Sequence, residues 1–429
     1  MKNRLQITGF IMIFIGAFWL SGSKTGCAGE MKEHFLPAGY DCRSAGQIPL
    51  VRSQGGYGTC WAISAASALE GTLMPEEHLV FSPDHLARNN GFSITVKEGG
   101  DARMIMAYLA GWRGPVLEEE DPYGDGVTED GLESAVHVQE IRLLEGSDPE
   151  EIKKLIMENG PVQTSLCMDR RMTRGSQAYY NPDTCAFYDP VEEKVTHDIL
   201  ILGWDDSFSA GNFAQIVPED GAWICQNTWG TSFGENGIFF VSYADANILK
   251  TGLAYTVIDT KKEYDTVYQT DPCGWQARIG YDDESAFFAN VYTAGRQETL
   301  RAAGFYSVGD HTSYEIWLCH DFTDTGSFSE KVRLTDGELP GKGFFTVPFD
   351  QDGEILDLQE GERFALIVRI VTAGTGKPVA VEMEKDQYTG TVTLEGKEGY
   401  ISRDGILWDS SEKIYATNIC LKAYTSAER

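Results

Sequence analysis

Hydrophobic and polar positions change rhythm along this 429-residue chain. In Gln54 to Gly71, QGGYGTCWAISAASALEG, the small and apolar residues Ala62, Ala65, Ala66 and Leu69 recur at i, i+3, i+4 and i+7. That spacing predicts a helix with one buried face and puts Cys60 at or just before its first turn. SPDHLARNN and the stretch from Glu98 to Gly124 predict further helices, with Ser82-Pro83 as a helix start, and Asp148 to Asn159 predicts a charge-faced one. Gly160-Pro161-Val162 and the apolar run HDILILGW then predict buried strands. From Asp271 onward the rhythm becomes two-fold. AFFANVYTA, LRAAGFYSV, SYEIWLCHD, GFFTVPF, RFALIVRIV, PVAVEME and TNICLKAY are short alternating runs between Gly and Asp turns, the pattern of an all-β sandwich. The fold class expected is α+β, with helices and strands first and strands alone after a polar connector, TKKEYDTVYQTDP.

The N-terminal pattern is of another kind. Lys2 and Arg4 precede an apolar run from Gly9 to Leu20 and the small-residue site Gly26-Cys27-Ala28, which predicts a signal peptide over 1–28 with cleavage after Ala28. The run is shorter than the about 20 residues of a membrane span, and no later segment is expected to cross a bilayer after that cleavage. A net charge of −30, from 65 acidic and 35 basic side chains, argues against nucleic acid or anionic lipid as a charge-selected partner. The expected location is secreted or cell-envelope associated. Setting aside Cys27 and Cys60 leaves seven cysteines at no framework spacing, so several are expected to be free and buried.

Candidate chemistry centres on Cys60. A helix N-terminus offers unpaired N–H groups and positive potential, which favour a thiolate. A nucleophilic thiol also needs a base, and the base a group that orients it. His197 lies 137 residues after Cys60, at the head of the apolar run, and Asn227 follows 30 residues later in WICQNTWGTSFGENG. Cys, His and Asn in this order, at these distances and within these blocks, resemble the papain-like cysteine peptidases over about Leu36 to Ile258. The resemblance implies a two-lobed domain, one lobe helical and one a β-barrel, over 29–260. A linker over 261–271 and a β-sandwich over 272–429 complete the expected organisation, and that sandwich resembles the lectin-like domains that follow papain-like domains in bacterial exported peptidases.

By that resemblance Cys60 is the nucleophile, His197 the acid and base, and Asn227 the residue that orients the imidazole. Gln54, six residues before Cys60, is the side-chain donor of the oxyanion hole. Gly99 and Gly100, with Val195, Thr196 and Trp229, are the expected substrate-binding positions, Trp229 also covering the His–Asn hydrogen bond. Tyr57 stands where the family usually has a second cysteine. Asp198 stands where relatives usually carry a small apolar residue, and strand alternation is expected to turn it from the His197 side. No metal and no cofactor is expected. Asp350 and Asp352 form one short acidic cluster, read as a turn rather than a calcium loop.

The expected activity is therefore peptide-bond hydrolysis by an exported cysteine peptidase acting on protein or peptide. Two alternatives stay open. One is a surface glycan-binding or adhesion protein with a vestigial peptidase, and the other a thiol transpeptidase or amidase acting on cell-wall peptides. A glycan or cell-surface ligand is the candidate partner of the C-terminal half.

Overall fold

Helix α1 (Cys60–Leu73) is the spine of the first half, and every residue from Trp61 to Gly71 is buried. Helices α2 (Pro83–Arg88) and α3 (Ala102–Ala110) are started by Ser82 and Asp101, whose side chains accept from the backbone N–H groups of the first turn. Helix α4 (Pro149–Asn159) is capped in the same way by Asp148. The computed structural model describes residues 36–168, 178–349, 354–385 and 387–427. The expected signal peptide and the Asp350–Asp352 cluster lie outside the described residues.

The principal strands in chain order are β1 (His137–Leu143), β2 (Val162–Leu166), β3 (His197–Asp205), β4 (Ala222–Gln226), β5 (Ile238–Ser242) and β6 (Gly252–Asp259). They are followed by β7 (Ser285–Thr293), β8 (Glu298–Ser307), β9 (Thr312–Cys319), β10 (Gly343–Pro348), β11 (Arg363–Thr372) and β12 (Leu421–Ala427). One sheet runs through both halves. Its inner order is β12-β8-β10-β1-β6-β2-β3-β4-β5, and the two halves join where Gly343, Phe344 and Phe345 of β10 pair with Arg142, Ile141 and Glu140 of β1. A second sheet carries β9, β11 and β7 side by side.

Strand alternation distributes the core. On β3, Leu200 and Leu202 turn toward α1 and Ile199 and Ile201 toward the barrel, where they pack with Trp223 and Phe239. The sandwich core lies between Leu300, Phe305 and Leu421 of the first sheet and Ile316, Leu366 and Val368 of the second. The core around α1 and α3 also takes in Trp275, Tyr306, Phe344 and Tyr424 from the second half. The first half is α+β, the second is a β-sandwich, and the polar connector contributes a strand of its own, Thr266–Tyr268, paired with β12.

Polar contacts tie the second half to the segment before α3. Tyr388 Oη donates to Asp101 Oδ2 at 2.5 Å, the Ser93 N–H donates to the Tyr388 carbonyl at 2.7 Å, and the Arg103 guanidinium lies 4.6 Å from the Trp275 ring centre. All eight described cysteines are free, and six of them are buried.

Candidate active site

Cys60 is the first residue of α1, with Thr59 at the N-cap. Thr59 leaves the helix N–H groups uncapped because its hydroxyl is 2.5 Å from Tyr123 Oη. The C-terminal half of α1 is tied to the segment before Gln54 by a buried ion pair, in which Arg52 Nη2 and Nη1 donate to Glu70 Oε1 and Oε2 at 2.5 and 3.0 Å. His197 opens β3, and its Nε2–H donates to Asn227 Oδ1 at 2.8 Å. The Thr228 N–H donates to the same oxygen at 2.7 Å, which fixes the amide with its oxygen toward the ring. Trp229 covers the pair, its ring centre 4.8 Å from that of His197, and is braced by Phe233. His197 and Asn227 are both buried, so their hydrogen bond is shielded from water.

Gln54 is held from both ends of its amide. Its Nε2 donates to the Tyr57 carbonyl at 2.7 Å and its Oε1 accepts from Thr228 Oγ1 at 2.6 Å. An amide nitrogen carries two N–H groups, so the second is left for another acceptor.

Cys60, His197, Gly99, Gly100, Val195 and Thr196 line one cavity of about 600 Å³. Gly99 has φ +92, a left-handed conformation that suits glycine, and a Cβ on Gly100 would fall 2.2 Å from the Trp61 ring. Backbone therefore forms that wall of the cleft. Trp229 lies outside the cavity lining and sits over His197 instead. Cys60 and His197 face the same space without a hydrogen bond between them. Catalytic contacts of this kind often tighten only when substrate is bound.

The floor of the cavity is the part that the sequence reading missed. Asp198 faces the space that holds Cys60, because β3 begins at the N-terminus of α1 and its α1-facing alternation starts with Asp198 and continues through Leu200 and Leu202. Alternation does separate Asp198 from His197, but both sides of the strand end border the cleft. Asp198 accepts from Ser165 Oγ and, at 3.1 Å, from Gln163 Nε2. Gln163 and Ser165 are two apart on β2, and this period in VQTSL is the signal that would have placed them on one face.

Burial governs the proton affinities. It pushes the Cys60 thiol up to about 12, the Asp198 carboxylate adds to the rise, and the backbone N–H groups of Asp198, Trp61 and Cys60 oppose it. It pulls the His197 imidazole down to about 4, against the hydrogen bond to Asn227. Asp198 itself rises to about 6, again through burial. Burial thus opposes the thiolate that the helix N-terminus favours. A helix dipole contributes about 0.3–2 kcal/mol, whereas a rise of the thiol from 9.0 to about 12 costs roughly 4 kcal/mol. Burial disfavours either charge alone, and the two offset each other when the proton passes from Cys60 to His197.

A family profile described as "Papain family cysteine protease" matches residues 36–257. The chain belongs to the papain family. A second profile, "Lectin like domain", matches residues 267–425. Among curated relatives, cathepsin L of Sarcophaga peregrina is 24% identical over 218 residues, covering 47% of this chain and 58% of its own length. Cysteine proteinase 15A of Pisum sativum is 27% identical over 218 residues, covering 48% of this chain and 57% of its own length. The chain thus spans under two thirds of the curated relatives it matches. Among solved structures, the cysteine protease and lectin-like domains of Cwp84, a surface layer associated protein of Clostridium difficile, match with TM-score 0.77 and 23% identity. That match covers 91% of this chain and 89% of the other, so the two-part fold is shared along nearly the whole length. Among the described residues, no group of three or more His, Cys, Asp or Glu side chains is arranged to hold a metal ion.

Proposed function

We propose that this protein hydrolyses peptide bonds in protein or peptide substrates through a covalent acyl-enzyme formed on Cys60. The observation that supports the reading is Cys60 and His197 lining one cleft, with the His197 ring held by Asn227, in a chain of the papain family.

In the proposed reaction, Cys60 Sγ attacks the peptide carbonyl carbon while His197 takes the thiol proton. The S–C bond forms, and the carbonyl electron pair moves onto oxygen. The free N–H of Gln54 Nε2 and the backbone N–H of Cys60 receive that oxyanion. Collapse breaks the C–N bond as the imidazolium returns its proton to the leaving amine. Water then attacks the thioester with His197 as base, releasing the acid and restoring the thiol. Burial suits this sequence, because the thiolate and the imidazolium each offset the other's charge. The Gly99–Gly100 wall offers bare backbone to an extended substrate.

We further propose that the protein is exported and works at the cell envelope, with the β-sandwich binding a glycan or another cell-surface ligand. The N-terminal pattern over 1–28 and the fold shared with a surface layer associated protein support this, and no helix among the described residues is long and apolar enough to cross a membrane. Digestion of a quenched peptide, with products weighed in the presence and absence of glycine methyl ester, tests the chemistry. Free acid and amine fragments, absent with Cys60→Ala, are expected. Predominant amine adducts would replace hydrolysis by transpeptidation.

A further inference from the structure

We propose that Asp198 makes the cleft selective for substrates that carry a cationic side chain, lysine or arginine, beside the scissile bond. The inference rests on the peptidase reading above and names its substrate class.

Asp198 is 9% exposed and lines the same cavity as Cys60. Its two oxygens are held by neutral donors, the Ser165 hydroxyl and the Gln163 amide, and Gln163 Nε2 is itself fixed by the Trp61 carbonyl at 3.2 Å. Among the described residues Asp198 forms no ion pair, and the other charge that acts on it is a second acid, Asp101. A buried carboxylate without a cation is costly, and two neutral donors offset only part of that cost. What is missing is a positive charge, and Asp198 lines the cavity where substrate would lie.

The other charged residues of the cavity favour the same sign by a small margin. Glu98, Asp101 and Glu145 line it against Arg103 and Lys194, three acids to two bases. The net charge of −30 draws cationic peptides toward the protein as a whole.

The carboxylate also acts on the nucleophile, since its charge holds the proton on Cys60. A substrate cation seated at Asp198 therefore does two things. It forms an ion pair in a low-dielectric pocket, and it offsets the charge that opposes loss of the thiol proton. A neutral side chain leaves Asp198 desolvated without a partner, and an acidic one adds a like charge, so both are rejected.

The test uses the mature chain and quenched peptides that differ at one position at a time, carrying Lys, Arg, norleucine or Glu, with cleavage sites mapped by mass spectrometry. For the wild type, kcat/KM for the best Lys or Arg peptide should exceed that of its norleucine counterpart by about 10- to 100-fold, the range of a hydrogen bond to a charged group. Asp198→Asn and Asp198→Ala should bring that ratio close to one, with circular dichroism confirming that each variant is folded. A wild type that cuts norleucine peptides as well as lysine peptides overturns the proposal whatever the variants do, and so does a preference that survives in folded Asp198→Asn. Those results leave the peptidase reading intact. Failure to cut any peptide removes both.

Discussion

Replacing Asp198 by Asn should make the protein more stable near neutral pH and leave it unchanged in acid. The carboxylate rises from its ordinary 3.8 to about 6 on folding, mainly through burial. The folded state therefore holds this proton more tightly than the unfolded chain does. The stability this contributes is full below pH 3.8 and is lost as pH rises to about 6, so above that the buried anion is a standing cost. At about 1.4 kcal/mol for each tenfold change in proton affinity, the cost is roughly 3 kcal/mol. Asn keeps the shape, its oxygen able to accept from Gln163 and its N–H to meet the Ser165 hydroxyl, which can turn to accept. A gain of about 1–3 kcal/mol at pH 7.5 is expected, shrinking toward zero at pH 3.5. Urea unfolding of Cys60→Ala and Cys60→Ala/Asp198→Asn at both pH values measures it without self-digestion. A double variant that is less stable at pH 7.5, or a difference that does not change with pH, would refute the reasoning.

Gln54→Ala should lower kcat by about 10²- to 10³-fold with little change in KM, read from steady-state kinetics on a fluorogenic peptide, because it removes a donor to the oxyanion alone. Glu70→Ala strands the buried Arg52 guanidinium and should cost about 3–5 kcal/mol in urea unfolding, most of it recovered by adding Arg52→Met. A chain ending at residue 260 loses the β10 partner of β1 as well as the Trp275 and Tyr388 contacts. Hydrogen exchange should then quicken over 137–143 and 91–103, and protection equal to that of the full chain would show the two halves to be independent.

Much of the plan is written in local patterns. The spacing of Ala62, Ala65, Ala66 and Leu69 predicts α1 and the position of Cys60, and Ser82 and Asp148 mark the helix starts at which their side chains do accept backbone N–H groups. The two-fold alternation of AFFANVYTA and RFALIVRIV predicts β7 and β11, which pair with each other in one sheet. The rest depends on contacts between residues far apart in the chain. That β10 adds to β1 follows from exposed sheet edges meeting, which neither strand's pattern records. Alternation assigns Asp198 to the face opposite His197 correctly, but does not record that α1 begins there and makes that face part of the cleft. The spacing that puts Cys60 at a helix terminus likewise does not record that a carboxylate, Asp198, stands beside it.

Alkylation of Cys60 with iodoacetamide, followed by peptide mapping on the purified protein and parallel digestion of casein by wild type and Cys60→Ala, tests the central claim most directly. Modification of Cys60 that abolishes casein cleavage, and no cleavage by Cys60→Ala, is the predicted result. Casein cleavage that persists in fully alkylated protein or in Cys60→Ala would contradict it.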